Sequence, residues 1–290
     1  MADHSLTDSW PAPAKLNLFL HITGRRDDGY HLLQTVFQFV DFGDRLRFQL
    51  RNDGQVQRIN ELSGVVAEQD LVVRAARLLQ QTCSQAQGVD IEVDKRLPLG
   101  GGLGGGSSDA ATTLVALNQL WQCGLDEATL AQLGLSLGAD VPVFIHGQAA
   151  WAEGVGEQLT PVDLPEPWFV VLCPPITVST AEVFSAPQLR RDCPPITIRD
   201  FLAGGVVHNV CEPLVRARYP EVDAALRDLD AFAPGRMTGT GACVFAAFAE
   251  ESAAHQAYEV LAGKWPGFVA RGMNTSPLRQ ALNNWAVAKR

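Results

Sequence analysis

The chain has 290 residues, of which 47% are hydrophobic and 19% charged, and its formal net charge is −9. This composition predicts a well-packed globular protein rather than a disordered one, and the acidic balance argues against nucleic-acid binding. The length suggests two domains, and no apolar run approaches the ~20 residues of a membrane-spanning helix.

The cysteines and the N-terminus indicate a cellular compartment. Six cysteines are present, and none forms a C-x-x-C pair, so the usual zinc and thioredoxin signatures are missing from the sequence. Most lie among apolar neighbours, which is typical of small core residues in a reduced protein. Residues 1–9 are predicted to be a frayed tail without the basic and apolar segments of a secretory signal. We therefore expect a cytoplasmic protein.

The first predicted strand covers residues 15–22, where the residues alternate between two faces. This alternation places Lys15 and Asn17 on the same side of the strand. A turn at 24–29 precedes Tyr30 and His31. This pair could stack on a base and bind its edge, although on the sequence alone packing at the start of a strand is the better explanation.

Further strands are predicted over residues 33–40 and 45–50, which would complete an antiparallel meander. Residues 51–69 are expected to be loops or a weak hairpin. A helix follows over 71–79, with Asp70 as its cap. The next strand, 89–95, ends at Lys95 and Arg96. Their positive charge indicates either a neighbouring phosphate site or a solvated strand end.

A glycine-rich loop stands between this strand and a helix. Six of the seven residues 100–106 are glycine, and the apolar residues after them recur at helical spacing, with Ser107 or Ser108 placed to cap the helix. Exposed backbone N–H groups and the positive end of the helix dipole together favour a bound phosphate. The acidic residue of a dinucleotide-binding fold and the Gly-Lys-Ser/Thr of a P-loop are both missing, and a flexible linker is the alternative.

Another helix is predicted from Asp126 to Leu137, ended by Gly138. A strand over 141–145 would then place Asp140 at a helix-to-strand junction. The proline-rich stretch 161–167 is the predicted domain boundary, which divides the chain into 1–163 and 164–290.

The second half predicts an α+β sandwich. Its expected elements, in chain order, are a strand at 168–173, a loop at 185–200, helices at 210–219 and 221–232, a glycine turn leading into a strand at 237–248, a helix at 250–262 and a strand at 267–272.

Phosphoryl transfer from a nucleotide requires a phosphate cradle, a cation and a group that accepts the proton of the attacking hydroxyl. The glycine loop is the candidate cradle, Lys15 the cation and Asp140 the base. A neighbouring lysine keeps an aspartate ionised, so that it can accept a proton at neutral pH. Taken singly, however, each residue is better explained by its ordinary role, Lys15 as a solvated charge and Asp140 as a turn or cap residue.

Three segments resemble, in order, the three motifs of the GHMP kinases (galactokinase, homoserine kinase, mevalonate kinase, phosphomevalonate kinase). They are residues 13–17 (Pro-Ala-Lys-Leu-Asn), 98–108 and 238–242 (Thr-Gly-Thr-Gly-Ala). Segments 24–31, 137–144 and 153–156 resemble more narrowly the family members that act on a cytidine diphosphate-linked methylerythritol. The likeness extends from Trp10 to Leu278.

This resemblance implies an α+β, two-domain GHMP kinase fold with the active site in the cleft between the domains. The N-terminal domain would be like domain 2 of ribosomal protein S5 and would bind ATP, and the C-terminal domain would be ferredoxin-like. ATP and Mg²⁺ are the implied co-substrate and cofactor. The ligands of the metal are unknown, and the role of Asp109, near the start of the glycine-loop helix, is open.

The resemblance also assigns residues to roles. Lys15 and Asp140 match the catalytic pair. The implied ATP-binding residues are Lys95, Pro98, Leu99, Gly100, Gly101, Gly102, Leu103, Gly104, Gly105, Gly106, Ser107 and Ser108. The implied substrate-binding residues are Asn17, Tyr30, His31, Thr180, Phe184, Gly239 and Gly241, with Phe184 as the aromatic that sandwiches the cytosine.

The implied reaction is ATP-dependent phosphorylation of the 2-hydroxyl of the cytidine diphosphate-linked methylerythritol, in isoprenoid biosynthesis by the non-mevalonate pathway. One alternative is a GHMP kinase of another small alcohol, such as homoserine or mevalonate. Another is a non-catalytic nucleotide-binding protein. The expected partner is a small-molecule substrate, with no nucleic acid and no membrane, and the expected state is a monomer or a weak homodimer.

Overall fold

The computed structural model describes residues 9–27, 29–62, 64–205 and 207–288. Within these ranges the strands form one sheet, flanked by helices. Residues 1–8 of the predicted tail at 1–9 lie outside the described residues. Among those described, no helix combines the length and the apolar character needed to cross a bilayer.

Two long antiparallel strands organise the first half, β1 (Trp10–Arg25) and β2 (His31–Arg51). The expected meander is wrong, because the two predicted strands at 33–40 and 45–50 are one continuous strand. Gly43, which indicated a break, lies within the ladder. A Cβ at Gly43 would collide with the carbonyl oxygen of Ala12. The glycine therefore permits close approach of the two strands rather than a turn.

β2 is the strand to which most of the sheet is joined. β4 and β5 pair with it antiparallel, β3 lies parallel to β4, and β6 pairs with β5. These strands are β3 (Val56–Arg58), β4 (Gly88–Asp94), β5 (Ala150–Glu153) and β6 (Gln158–Pro161). The stretch 51–69 thus holds a short strand, and it also holds a 3₁₀ turn at Ala67–Gln69.

The described residues of this half form four helices: α1 (Leu71–Thr82), α2 (Gly105–Leu120), α3 (Glu127–Leu135) and α4 (Val141–His146). Two predicted caps are confirmed. The Asp70 carboxylate accepts from the Val72 N–H at 3.1 Å, and that of Asp126 accepts from the Thr129 N–H at 2.8 Å. Helix α3 ends at Leu135, two residues before the predicted end.

Two local predictions around the glycine loop are wrong. Residues 141–145 form helix α4 rather than a strand. All five are buried, and a short apolar run cannot distinguish a buried strand from a buried helix, whereas Pro142 suits a first helical turn. Helix α2 is preceded by Gly104 in the left-handed conformation, with φ 73°, so Ser107 and Ser108 lie inside its first turn and do not cap it.

The second half contributes strands in the order β10-β7-β9-β8. They are β7 (Trp168–Leu172), β8 (Arg236–Met237), β9 (Val244–Phe248) and β10 (Gly267–Met273). The helices are α5 (Thr180–Ser185), α6 (Ile198–Leu202), α7 (Glu212–Arg218), α8 (Pro220–Asp230), α9 (Glu251–Leu261) and α10 (Pro277–Ala288). The expected elements are found here, except that the loop predicted at 185–200 contains the start of α6.

The two halves meet along a shared core. The sheet crosses from one to the other where Gly272 of β10 pairs with Val40 of β2. One hydrophobic cluster contains Leu16 of β1 together with Phe169 and Phe245 of the second half. β1 therefore has neighbours in both halves. The boundary between residues 163 and 164 stays a prediction.

Cys83 and Cys123 are joined by a disulfide, and Cys173, Cys193, Cys211 and Cys243 are free and buried. The expectation of reduced core cysteines is therefore wrong for the first pair. The cysteines of this pair are 40 residues apart in sequence, but each follows a helix, and packing of α1 on α2 places their Cα atoms 5.3 Å apart. Sequence spacing carries no signal for that contact.

Candidate active site

A cleft of about 500 Å³ opens where β1, the glycine loop (residues 98–106) and the second half meet. Most of the predicted site residues line it. They are Lys15, Asn17, Lys95, the whole glycine loop, Ser107, Asp140, Thr180, Phe184 and Gly239. The chain brings them together because β1 lies between the loop on one side and the segment before β9 on the other.

The glycine loop is held by the protein's own packing. A Cβ at Gly104 would lie 2.8 Å from the Phe144 ring and 3.1 Å from Cε of Lys15. The carbonyl of Gly101 accepts from the N–H of Cys243 at 3.1 Å, which ties the loop to the second half. The missing side chains therefore let the loop lie against Lys15 and the third motif, and they leave the N-terminus of α2 directed at the cleft.

Lys15 is buried at the floor of the cleft, with 3% of its surface exposed. Its ammonium donates to the Asn17 side chain and to the carbonyl of Gly102, the latter at 3.1 Å, and it lies 3.4 Å from a carboxylate oxygen of Asp140. The main-chain N–H of Lys15 donates to the Leu103 carbonyl at 3.0 Å. The lysine thus connects β1, the glycine loop and the start of α4.

Asp140 stands directly before α4, but within the described part of the chain its side chain makes no capping hydrogen bond to that helix. Its carboxylate faces Lys15 instead, and 35% of the side chain is exposed at the cleft. A junction cap therefore does not explain this aspartate. The pairing leaves a carboxylate that is held near a cation and is accessible from the cleft.

Asn17 connects the first and third motifs. Its main-chain N–H donates to Thr238 Oγ1 at 3.0 Å, and that hydroxyl donates to the Gly102 carbonyl at 3.2 Å. The Asn17 side chain donates to Thr35 Oγ1 at 2.9 Å. Sequence analysis did not single out either threonine, although Thr238 opens the third motif.

Lys95 lies beside the first turn of α2 within a buried charged cluster. Its ammonium contacts Asp44 and Asp109, each at 2.6 Å. Asp44 also accepts from the N–H groups of Arg96 and Leu97. Burial raises the pKa of Asp109 to about 7, although Lys95 opposes the rise. Burial alone would lower the pKa of Lys95, but Asp109 and Asp44 outweigh it and raise that pKa. No sequence signal pointed to Asp44.

Two rings mark the candidate base pocket, Phe184 in the lining of the cleft and His31 packed against it. The rings of His31 and Phe184 stack with centroids 5.2 Å apart and planes at 23°. Nearby, the hydroxyls of Thr180 and Thr240 are 2.9 Å apart. Burial, followed by the charges of Arg191 and Arg25, lowers the pKa of His31.

Four predicted residues lie outside the cleft lining. Tyr30 is 63% exposed. His31 lies behind Phe184, against which it stacks. Ser108 is fully buried in α2, and Gly241 packs against Met237 and Val215. Their assigned roles stay predictions.

Family comparisons agree with the fold. The model of the GHMP kinases N terminal domain matches residues 70–148, and the model of the GHMP kinases C terminal domain matches residues 199–267. A crystal structure of 4-(cytidine 5'-diphospho)-2C-methyl-D-erythritol kinase has a TM-score of 0.79 at 34% identity and covers 91% of this chain and 98% of that one. A mevalonate kinase, with a TM-score of 0.68 at 15% identity over 92% of this chain and 100% of that chain, shares the fold.

Two relatives are more similar to this chain in sequence than these two solved structures are. The 4-diphosphocytidyl-2-C-methyl-D-erythritol kinase of Nitrosococcus oceani is 61% identical over 94% of this chain and 97% of its own length. The enzyme of the same name from Pseudomonas aeruginosa is 59% identical, with the same coverage. The chain therefore belongs to the GHMP kinase family and, within it, to the group of the 4-diphosphocytidyl-2-C-methyl-D-erythritol kinases.

Proposed function

We propose that this kinase transfers the γ-phosphoryl group of ATP to the 2-hydroxyl of 4-diphosphocytidyl-2-C-methyl-D-erythritol. The observation that carries the proposal is the Lys15–Asp140 pair, 3.4 Å apart, in a cleft bounded by the glycine loop. A protein that only bound a nucleotide would need the loop but not this pair. The names of the relatives supply the identity of the alcohol.

In the proposed reaction the glycine loop and the N-terminus of α2 bind the phosphates of ATP. The substrate hydroxyl lies next to Asp140, which takes its proton. The hydroxyl oxygen then forms the new bond to the γ-phosphorus as the bond to the ADP oxygen breaks. The ammonium of Lys15 keeps Asp140 ionised beforehand and stabilises the charge that develops on the transferred group.

Mg²⁺ is part of this proposal. Among the described residues no group of three or more His, Cys, Asp or Glu side chains could hold a metal ion. An ion bound chiefly by nucleotide phosphates needs no such group, and this is a common arrangement for Mg²⁺ in kinases. When bound there, the ion would neutralise phosphate charge.

The cytidine end of the substrate is proposed to occupy the region of His31 and Phe184, with Asn17, Thr180 and Gly239 between it and the glycine loop. Three features of the cleft support this placement. Phe184, on which His31 stacks, and the phosphate cradle line the same cleft, and the Lys15–Asp140 pair contacts the cradle through the Gly102 carbonyl. A substrate without a base would have no partner for the aromatic end.

The test is an assay of ADP formation with three candidate alcohols: 4-diphosphocytidyl-2-C-methyl-D-erythritol, homoserine and mevalonate. We expect turnover with the first alone. Turnover with either of the others would assign the cleft to another GHMP kinase activity. ATP binding without turnover of any alcohol would indicate a nucleotide-binding protein and overturn the proposal.

A further inference from the structure

Arg191, in the segment after α5, binds several acceptors at the base pocket. Its guanidinium donates to Nε2 of His31 at 2.9 Å, to the carbonyls of Phe184 and Ala186 at 2.8 Å each, and to that of Leu189 at 2.9 Å. One side chain therefore joins His31, at the start of β2, to the backbone that carries Phe184 in the second half.

The contact with His31 determines where the imidazole carries its proton. A guanidinium has only N–H donors and stays protonated, so Nε2 of His31 must be the acceptor. The proton of the neutral ring is then on Nδ1. If the ring were protonated, its Nε2–H would oppose an N–H of Arg191, and two positive charges would be in contact.

We propose that Arg191 is a positioning residue that holds His31 as the neutral imidazole with its proton on Nδ1 and keeps that ring stacked on Phe184. In that state the ring nitrogen of His31 that Arg191 leaves free carries an N–H donor, and such a donor would match an acceptor on the edge of a cytosine. The identity of the base rests on the proposed function, whereas the protonation state of His31 in the free protein does not.

The charges around His31 also favour its neutral form. The charged groups that act on His31 from the elements packed against it are Arg191 and, on β1, Arg25, which lies opposite His31 in the strand register. Both are cationic, and with burial they lower the pKa of His31. The neutral ring thus persists to lower pH than in an unperturbed histidine.

Arg190 provides a matched control. Arg190 directly precedes Arg191 in the chain. Its guanidinium donates to the carboxylate of Asp192 at 2.9 Å, and its side chain is 58% exposed. Arg190→Gln removes one positive charge from the same segment without touching the pocket. Arg191→Lys keeps the positive charge at the pocket but cannot bond the ring and three carbonyls together.

The first experiment uses the full chain with ¹⁵N-labelled histidine, with the His31 signals assigned from His31→Gln. We expect the Nδ1–H tautomer in the wild type and in Arg190→Gln, with protonation only below the pH at which an ordinary histidine protonates. In Arg191→Gln we expect mixed tautomers and a pKa nearer the usual ~6.5. An Nε2–H tautomer or an ordinary pKa in the wild type would overturn the proposal whatever the substrate is.

The second experiment measures the KM for the cytidine substrate against pH. In Arg191→Gln, protonation of an ordinary histidine would raise this KM by up to about fourfold more at pH 6 than at pH 8, with the KM for ATP unchanged. We expect no such additional rise in KM at pH 6 in the wild type or in Arg190→Gln. In Arg191→Lys the rise should be largely absent. A rise of equal size at both pH values would show a structural role for Arg191 and overturn the proposal.

Discussion

Two lysines line the same cleft, but their partners differ. Lys95 contacts two carboxylates at 2.6 Å, and the side chains of Asp44 and Asp109 are 0% and 6% exposed. Lys15 contacts neutral oxygens of Asn17 and Gly102 and has one carboxylate, at 3.4 Å, that is 35% exposed. The charge of Lys95 is compensated by buried groups, whereas that of Lys15 is shared with a partner that can also reach a ligand.

A lysine that lines a phosphate-binding cleft is therefore not necessarily a phosphate ligand. The Lys95 cluster joins Asp44 of β2, the segment after β4 and Asp109 of α2. It therefore stabilises the elements on either side of the glycine loop. The Lys15 pair faces the cleft and suits chemistry. A direct contact between Lys95 and ATP stays a prediction.

The largest effect is expected at Asp140. Asp140→Asn keeps the shape but cannot accept a proton, so kcat should fall by about 10²–10⁴-fold while thermal stability stays nearly unchanged. Steady-state kinetics and thermal unfolding check both parts. Asp126→Ala is the matched control, since Asp126 does cap a helix: it should cost ~0.5–2 kcal/mol of stability with kcat retained. A near-normal kcat in Asp140→Asn would end the assignment of the base.

A double mutant tests whether Lys15 and Asp140 act as a unit. Lys15→Met alone should also lower kcat strongly. Combined with Asp140→Asn, it should cost much less than the product of the two single losses, because groups that act on one step are not additive. If the double mutant instead loses the product of the two single-mutant factors in kcat, the two residues act independently.

Lys95→Met tests whether the second lysine has a structural role. It leaves two buried carboxylates without their cation, and breaking a buried pair in this way costs about 3–5 kcal/mol. We expect a loss of that size in the free energy of unfolding, measured in urea. Lys15→Met should be much less destabilising. If Lys95→Met unfolds like the wild type but loses ATP affinity, Lys95 is a nucleotide ligand rather than a structural tether.

The last expected effect is a pH dependence caused by Asp109. Its folded-state pKa of about 7 exceeds the ordinary 3.8, so the folded chain binds more protons than the unfolded chain between these values. This contribution to stability is complete below about pH 4 and is lost as the pH rises through about 7. Urea unfolding at several pH values should show that fall in the wild type, and Asp109→Asn should lack it. An unchanged slope would place the titration elsewhere.

Features that depend on near neighbours along the chain could be predicted from the sequence. Capping by Asp70 and Asp126, and the placement of Lys15 and Asn17 on one side of a strand, follow from alternation and from side chains that bond a backbone two or three residues away. The likeness to GHMP kinases lies in continuous motifs, and the fold and family followed from it.

The partners of the buried charged and aromatic side chains could be identified only from the tertiary structure. Asp44 reaches Lys95 across 51 residues, and Arg191 reaches His31 across 160. The apolar run at 141–145 became a helix rather than a strand when it was packed beside α2 and α3. Periodicity and capping act over a few residues, whereas the partner of a buried charge or ring is set by which elements pack together, and no local pattern records that.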